Sequence, residues 1–174
     1  FHKSFDLVNS LVNRFSELTY ETKNINTVNL NSHLKIGNKL IGEGRKTFIV
    51  AEAGLNHNGS FEIAKKLIDN AKNINCDAIK FQSFLPNSRV SKFVKSEKYA
   101  EKIIGTQESI GELFQRLSLD FKTQRKIFNY AKKKKMMIFS TPFDFESADF
   151  LDKLGVSAFK IASVDLVNIP LIEH

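Results

Sequence analysis

From Phe48 onward, short apolar runs alternate with stretches whose apolar residues recur at helical spacing. Phe48–Ala53 reads as a buried strand, and Phe61, Ala64, Leu67, Ile68 and Ala71 form a helix stripe behind it. A second strand covers Ala78–Phe84. An irregular insertion with room for short helices runs from Leu85 to Asp120, and a basic helix follows over residues 121–135. Met137–Ser140 is a third strand, Ala148, Leu151 and Leu154 mark a short helix, and Ala158–Ser163 is a fourth strand. Alternating β and α units imply an α/β fold with a parallel sheet and helical crossovers.

The polar residues decide between an open sheet and a barrel. In the second strand Lys80 and Gln82 share one face and Ile79 and Phe81 the other, because side chains alternate with a period of two. Glu52, Lys80, Gln82, Ser140, Thr141, Lys160, Ser163 and Asp165 all fall toward the C-terminal ends of their strands. A (β/α)8 TIM barrel builds its active site there from several strands, whereas an open doubly wound sheet gathers ligand groups at one switch point. No glycine-rich phosphate loop is present. The expectation is the first half of a barrel, since a whole one takes ~250 residues and this chain has 174. Such a half leaves open sheet edges and an uncovered inner face of Val50 and Ile138, so alone it is expected to associate and to lack activity.

Residues 1–33 differ in character. Phe5, Val8, Leu11, Val12, Phe15 and Leu18 pattern a helix, and an Asn-rich stretch from Asn24 to Ser32 reads as a linker. The expected division is an N-terminal helical extension at 1–33, a candidate tail of an upstream domain, and the half-barrel at 34–174, entered through a hairpin over residues 35–42.

No run of ~18 apolar residues marks a membrane span, and a single cysteine, Cys76, fits a reducing cytoplasm. The net charge of +7 equals the seven basic residues between Phe121 and Lys135, a segment without acids. No zinc-ligand spacing or nucleic-acid motif accompanies them, so they read as a solvated helix face with cations near the C-terminal dipole. Nucleic acid and membrane are therefore not expected partners.

Two lysines on polar strand faces, Lys80 and Lys160, point to an anionic ligand, because a buried ammonium needs a counter-charge. Gln82, Thr141 and Ser163 add hydrogen-bonding groups. The plainer alternative pairs each lysine with Glu52 or Asp165. The turn NHNG after the first strand reads as loop-shaping, with Gly59 allowing the bend and Ser60 capping the next helix, rather than as a metal site at His57.

FIVAEAGLNHNG, AKKLIDNAK, DAIKFQSF, STPFD, DFLDKLGV and AFKIASVDLVNIPLIE, in this order and spacing, resemble the N-acetylneuraminate (sialic acid) synthase family. That family includes legionaminic and pseudaminic acid synthases and spore-coat polysaccharide synthases. The resemblance runs from about Lys35 to His174. It implies condensation of phosphoenolpyruvate with the open-chain aldehyde of an N-acylated amino sugar, giving a nine-carbon 2-keto acid and phosphate. By motif, Lys80 and Lys160 look like phosphoenolpyruvate anchors, Thr141 and Ser163 like donors to its anionic groups, and Gln82 like part of the same pocket. Glu52 and Asp165 occupy the places of catalytic carboxylates. At Ser163-Val164-Asp165 the family more often has glycine and glutamate after the serine. The resemblance also implies a divalent metal, Mn2+ or Mg2+, with ligands expected beyond residue 174, and a homodimer. The other readings are another phosphoenolpyruvate-condensing synthase or aldolase barrel, a non-catalytic half-barrel and a basic nucleic-acid-binding module.

Overall fold

The computed structural model describes residues 33–90 and 109–174. The helix and linker expected before His33, and residues 91–108 of the insertion, lie outside the described residues. Residues Lys35–His174 form one compact unit, whose architecture is given below together with the start of β1 at His33.

The hairpin expected over residues 35–42 is present: β1 (His33–Ile36) and β2 (Lys39–Gly42) pair as a two-stranded sheet. Gly37 turns it at a φ of 58°, and a Cβ there would meet Met137 Cε at 2.8 Å and Ser157 Oγ at 3.1 Å. Glycine suits the left-handed backbone, and a Cβ there would also make the end of the Met137 side chain shift. Lys39 pairs with Asp77 at 3.0 Å, and Asp77 Oδ2 accepts from the Ile49 amide at 2.9 Å. The hairpin is thereby tied to the N-terminal end of the main sheet.

That sheet has three parallel strands in the order β3 (Val50–Gly54), β4 (Ala78–Ser83), β5 (Met137–Pro142). Its crossovers are α1 (Phe61–Asn73) between β3 and β4 and, after the short α2 (Pro86–Arg89), α3 (Ile110–Leu117) and α4 (Phe121–Lys133) before β5. Then follow α5 (Phe145–Lys153), a 3-10 turn at Ser163–Asp165 and α6 (Ile169–Glu173). Four helices start where a side-chain oxygen meets an otherwise orphaned amide: Ser60 for α1, Ser109 with Glu112 in a capping box for α3, Asp120 for α4 and Asp144 for α5.

The helices cover one face of the sheet. Ala53, Ile79 and Phe81 pack there against Ala64, Ile68 and Ala71 of α1 and Ile127 and Ala131 of α4. A second cluster joins Phe128, Phe150 and Leu151, with Phe121 stacked on Phe150 at 4.4 Å. Ile138 packs against both clusters, on the helix side. The expectation that it lines the opposite face is thus wrong: Phe139 and Thr141 pair with Lys80 and Gln82, so strand parity sends Ile138 the other way. Ser140 goes with it. Its hydroxyl meets Ser83 Oγ at 2.8 Å, which donates to Gln124 Oε1 of α4 at 2.7 Å. Among the strand-end polar residues, Ser140 therefore belongs to sheet-to-helix packing.

The fourth strand does not form. Residues 158–163 reach the sheet only through a single parallel bridge, Ser140 to Phe159, with the Lys160 amide donating to the Ser140 carbonyl at 3.2 Å. A ladder gains stability from repeated pairs, and this segment has no partner on its far edge among the described residues. Phe159, 44% exposed, keeps the parity of a strand residue without the strand.

Candidate active site

The opposite face carries the polar groups. Register sets Glu52 beside Lys80 and Gln82 beside Thr141 across neighbouring strands. β3 then slips register between Glu52 and Gly54, a bulge of the kind that re-aims side chains at a sheet's rim. Gly54 sits at a φ of 51°, and a Cβ on it would lie 3.0 Å from Glu52 Oε1 and 3.7 Å from Gln82 Nε2. Glycine thus leaves the space into which both side chains lean.

Lys80 is 5% exposed and donates from Nζ to Glu52 Oε1 at 3.2 Å. The two ends differ sharply: the lysine side chain is 7% exposed and the glutamate side chain 59%. For Lys80, the plainer alternative of a carboxylate partner holds in this structure. Thr141 is buried and Gln82 half-buried. Lys160 follows the bridge at the same strand end, but its side chain is exposed, as is Ser163. Asp165, half-buried in the 3-10 turn, accepts from Asn168 Nδ2 at 3.3 Å through Oδ1. Lys80, Glu52, Gln82 and Thr141 are thus brought together. Lys160, Ser163 and Asp165 belong to the segment after the bridge.

Among the described residues, five buried side-chain atoms lack a hydrogen-bond partner: Gln82 Oε1, Arg89 Nη1, Thr141 Oγ1, Ser147 Oγ and Asp165 Oδ2. Buried polar atoms are nearly always paired. Three of these five lie on residues singled out from the sequence. Arg89 was not singled out; it ends α2, inside the stretch read as irregular insertion. Pro86 at the first helical position, just after a strand, was the available signal that a helical turn begins there.

His57 faces away from this site. It is 1% exposed, stacks on Phe81 of the helix-side core at 5.9 Å, and accepts from the Gly59 amide through Nδ1 at 3.1 Å. Gly59, at a φ of 71°, presses on the Arg116 carbonyl so closely that a Cβ would stand 2.5 Å from it. The turn shapes the loop, and Ser60 accepts from the Ile63 amide at 3.3 Å. Burial lowers the His57 pKa from 6.5 to about 4. Between those values the unfolded imidazole holds a proton and the folded one does not, so stability falls as pH drops from 6.5 to 4. The full shift corresponds to roughly 3 kcal/mol, of which about 2–3 kcal/mol is lost by pH 4.5. Urea unfolding at pH 7 and pH 4.5 measures it: a His57→Phe variant is expected to lose about 2 kcal/mol less than wild type over that interval.

A cavity of about 350 Å³ lies elsewhere, between α5, α6 and the Phe159 segment. Its walls include Pro142, Ala148, Ile161 and Leu171, and its polar groups His174 and Asp149 bond each other at 2.8 Å. The Asp152 carboxylate also lines it. Among the described residues no group of three or more His, Cys, Asp or Glu converges in a way that fits a metal ion, and no helix is long and apolar enough to cross a membrane.

Comparison with known proteins places the fold and the site in context. The chain is 42% identical over 129 residues to the N,N'-diacetyllegionaminic acid synthase of Campylobacter jejuni, covering 74% of this chain and 39% of that protein. Its structure is similar to the N-acetylneuraminic acid (sialic acid) synthetase of Leptospira borgpetersenii, with a TM-score of 0.66 and 34% identity over 81% of this chain and 45% of that one. It is also similar to the spore coat polysaccharide biosynthesis protein of Bacillus subtilis, with a TM-score of 0.62 and 33% identity over 81% of this chain and 36% of that one. The chain therefore spans less than half the length of these relatives. The NeuB family model matches residues 67–174, from the middle of α1 through the whole segment that carries Lys80, Thr141 and Asp165, and the chain belongs to the NeuB family.

Proposed function

We propose that this chain supplies the phosphoenolpyruvate-binding part of a synthase that condenses phosphoenolpyruvate with an N-acylated amino sugar, such as N-acetylmannosamine, to a nine-carbon 2-keto acid. Its parallel strands are read as the opening strands of a (β/α)8 barrel. The observation that carries the reading is the unpartnered buried hydroxyl of Thr141, a free donor on the sheet face that also carries the buried Lys80. A buried cation sharing a face with a free hydroxyl donor suits an anion, whose oxygen atoms can accept from both.

In the proposed reaction C3 of phosphoenolpyruvate bonds to the aldehyde carbon, and the aldehyde oxygen takes up a proton. Water bonds to C2 and gives up one proton, and the hydroxyl left there passes its second proton to the phosphate oxygen as the C2–O bond breaks, leaving the ketone. Lys80 and Lys160 hold the phosphate and carboxylate, with Thr141 and Ser163 as donors and Gln82 lining the pocket. Glu52 stands at the reacting centre, and Asp165 takes the proton from water. The cytoplasm, a homodimer and a divalent metal, Mn2+ or Mg2+, are parts of the same proposal. The described residues alone do not fit the metal, so the protein groups above carry every step stated here.

The test measures phosphate release from phosphoenolpyruvate by the full-length protein with Mn2+ and N-acetylmannosamine, alongside thermal protection by phosphoenolpyruvate alone. Both are expected. Lys160→Ala should raise the KM for phosphoenolpyruvate about tenfold, and alanines at Lys132 to Lys135 should leave it unchanged. Dependence on the lysine run with indifference to Lys160 would overturn the reading.

A further inference from the structure

Arg89 has an unusual setting. Its guanidinium carbon lies 3.5 Å from the ring centre of Phe143, 4.4 Å from Phe114 and 4.8 Å from Phe84. The rings brace one another edge to face, Phe84 with Phe114 at 5.6 Å and Phe84 with Phe143 at 6.4 Å. Phe84 follows β4 and Phe143 follows β5, so the cage stands over the strand ends that present Gln82 and Thr141. A planar cation held among three π faces is fixed in place.

Among the described residues its charge has no direct carboxylate partner. Nη1 is buried without a hydrogen bond. Burial lowers the Arg89 pKa to about 10, while Asp165 and Asp144 act in the opposite direction. Asp144 is fully engaged elsewhere, with Oδ2 accepting from the Leu85 amide and Oδ1 from the Ser147 amide, each at 2.7 Å. Asp165 is not: Oδ1 accepts from Asn168, and Oδ2 is buried and unpartnered. One buried donor and one buried acceptor of opposite charge are thus left unfilled, with no ion pair between them. A water bridging such a pair donates to the carboxylate and accepts from the guanidinium, and its second lone pair stays free.

We propose that Arg89 is a positioning residue that, with Asp165, seats the water that attacks C2 of phosphoenolpyruvate. The inference rests on the function proposed above. Water hydrogen-bonded in this way has one proton aimed at Asp165 Oδ2 and one lone pair aimed outward. When its oxygen bonds to C2, that proton passes to Asp165, and Arg89 keeps its own protons throughout.

The experiment compares Arg89→Met, Arg89→Lys, Asp165→Asn and the double variants in the full-length protein by steady-state phosphate release. Arg89→Met is expected to lower kcat about tenfold with the KM for phosphoenolpyruvate within about twofold, because the water and not the anion is misplaced. Arg89→Lys, which keeps a cation in the cage, should recover part of that loss. Combined with Asp165→Asn, either Arg89 change should add no further loss, since both residues act on one water. Additive losses, or a raised KM with kcat intact, would overturn the inference while leaving the proposed reaction standing. If Arg89→Met does not fold, the Arg89→Lys and Asp165→Asn pair decides by the same criterion. A wild-type protein that releases no phosphate overturns the proposed function and this inference together.

Discussion

Replacing Lys80 by Met is expected to lower kcat/KM for phosphoenolpyruvate by about 10- to 100-fold in the full-length protein while leaving the unfolding midpoint nearly unchanged. The two parts of this result come from the asymmetry of one ion pair. Lys80 is the buried end and Glu52 the exposed one. Removing the lysine costs the anion a charge-assisted contact in a desolvated place, about 1.5–3 kcal/mol. It leaves behind a carboxylate that water already solvates. Glu52→Gln is the counterpart: the ammonium stays buried without a counter-charge, and stability falls by a kcal/mol or more, on the order of a lost charged partner. Phosphate release and thermal unfolding on both variants check this. An active Lys80→Met protein would remove the central cation from the proposed site.

Asp144→Ala is the largest stability change expected. One carboxylate caps α5 through the Ser147 amide and clamps the Leu85 amide, at the start of the turn leading to Arg89. Loss of the cap costs about 1 kcal/mol, and the orphaned amide adds about 1–3 kcal/mol. Roughly 3 kcal/mol in a unit of this size corresponds to a fall in Tm of about 6–12 °C. Asp144→Asn keeps one acceptor and should lose about half as much. Differential scanning calorimetry separates them; equal midpoints for both variants and wild type would mean that the clamp contributes nothing.

The strands β3, β4 and β5 were legible because each is an apolar run bounded by turn residues, and the faces of β4 because Lys80 and Gln82 mark the parity. In β5 the run Met137-Ile138-Phe139 carries no such mark. Its parity follows from Thr141 pairing with Gln82, which is a register fact that composition does not encode. Residues 158–163 have strand composition, yet a strand is a relation between neighbours, and only Phe159 finds one. Glu52, Lys80, Gln82 and Thr141 could be grouped in advance because adjacent parallel strands align their C-terminal ends. Arg89 could not. Its cage draws Phe84, Phe114 and Phe143 from three places in the chain, and no local pattern joins them.

Gly54 leaves room for Glu52 to lean toward Lys80, and the carboxylate's outer end remains in solvent. An arriving anion therefore meets an ammonium whose counter-ion is already in place and already half in water. In the proposed reading, binding becomes an exchange of one counter-ion for another at Lys80, with Glu52 freed from the ammonium to face the reacting centre as the anion enters. The empty protein avoids an isolated buried charge, and in the proposed site the ligand's affinity is set by how much better its several oxygen atoms satisfy the Lys80 ammonium and the Thr141 hydroxyl than a single carboxylate oxygen does.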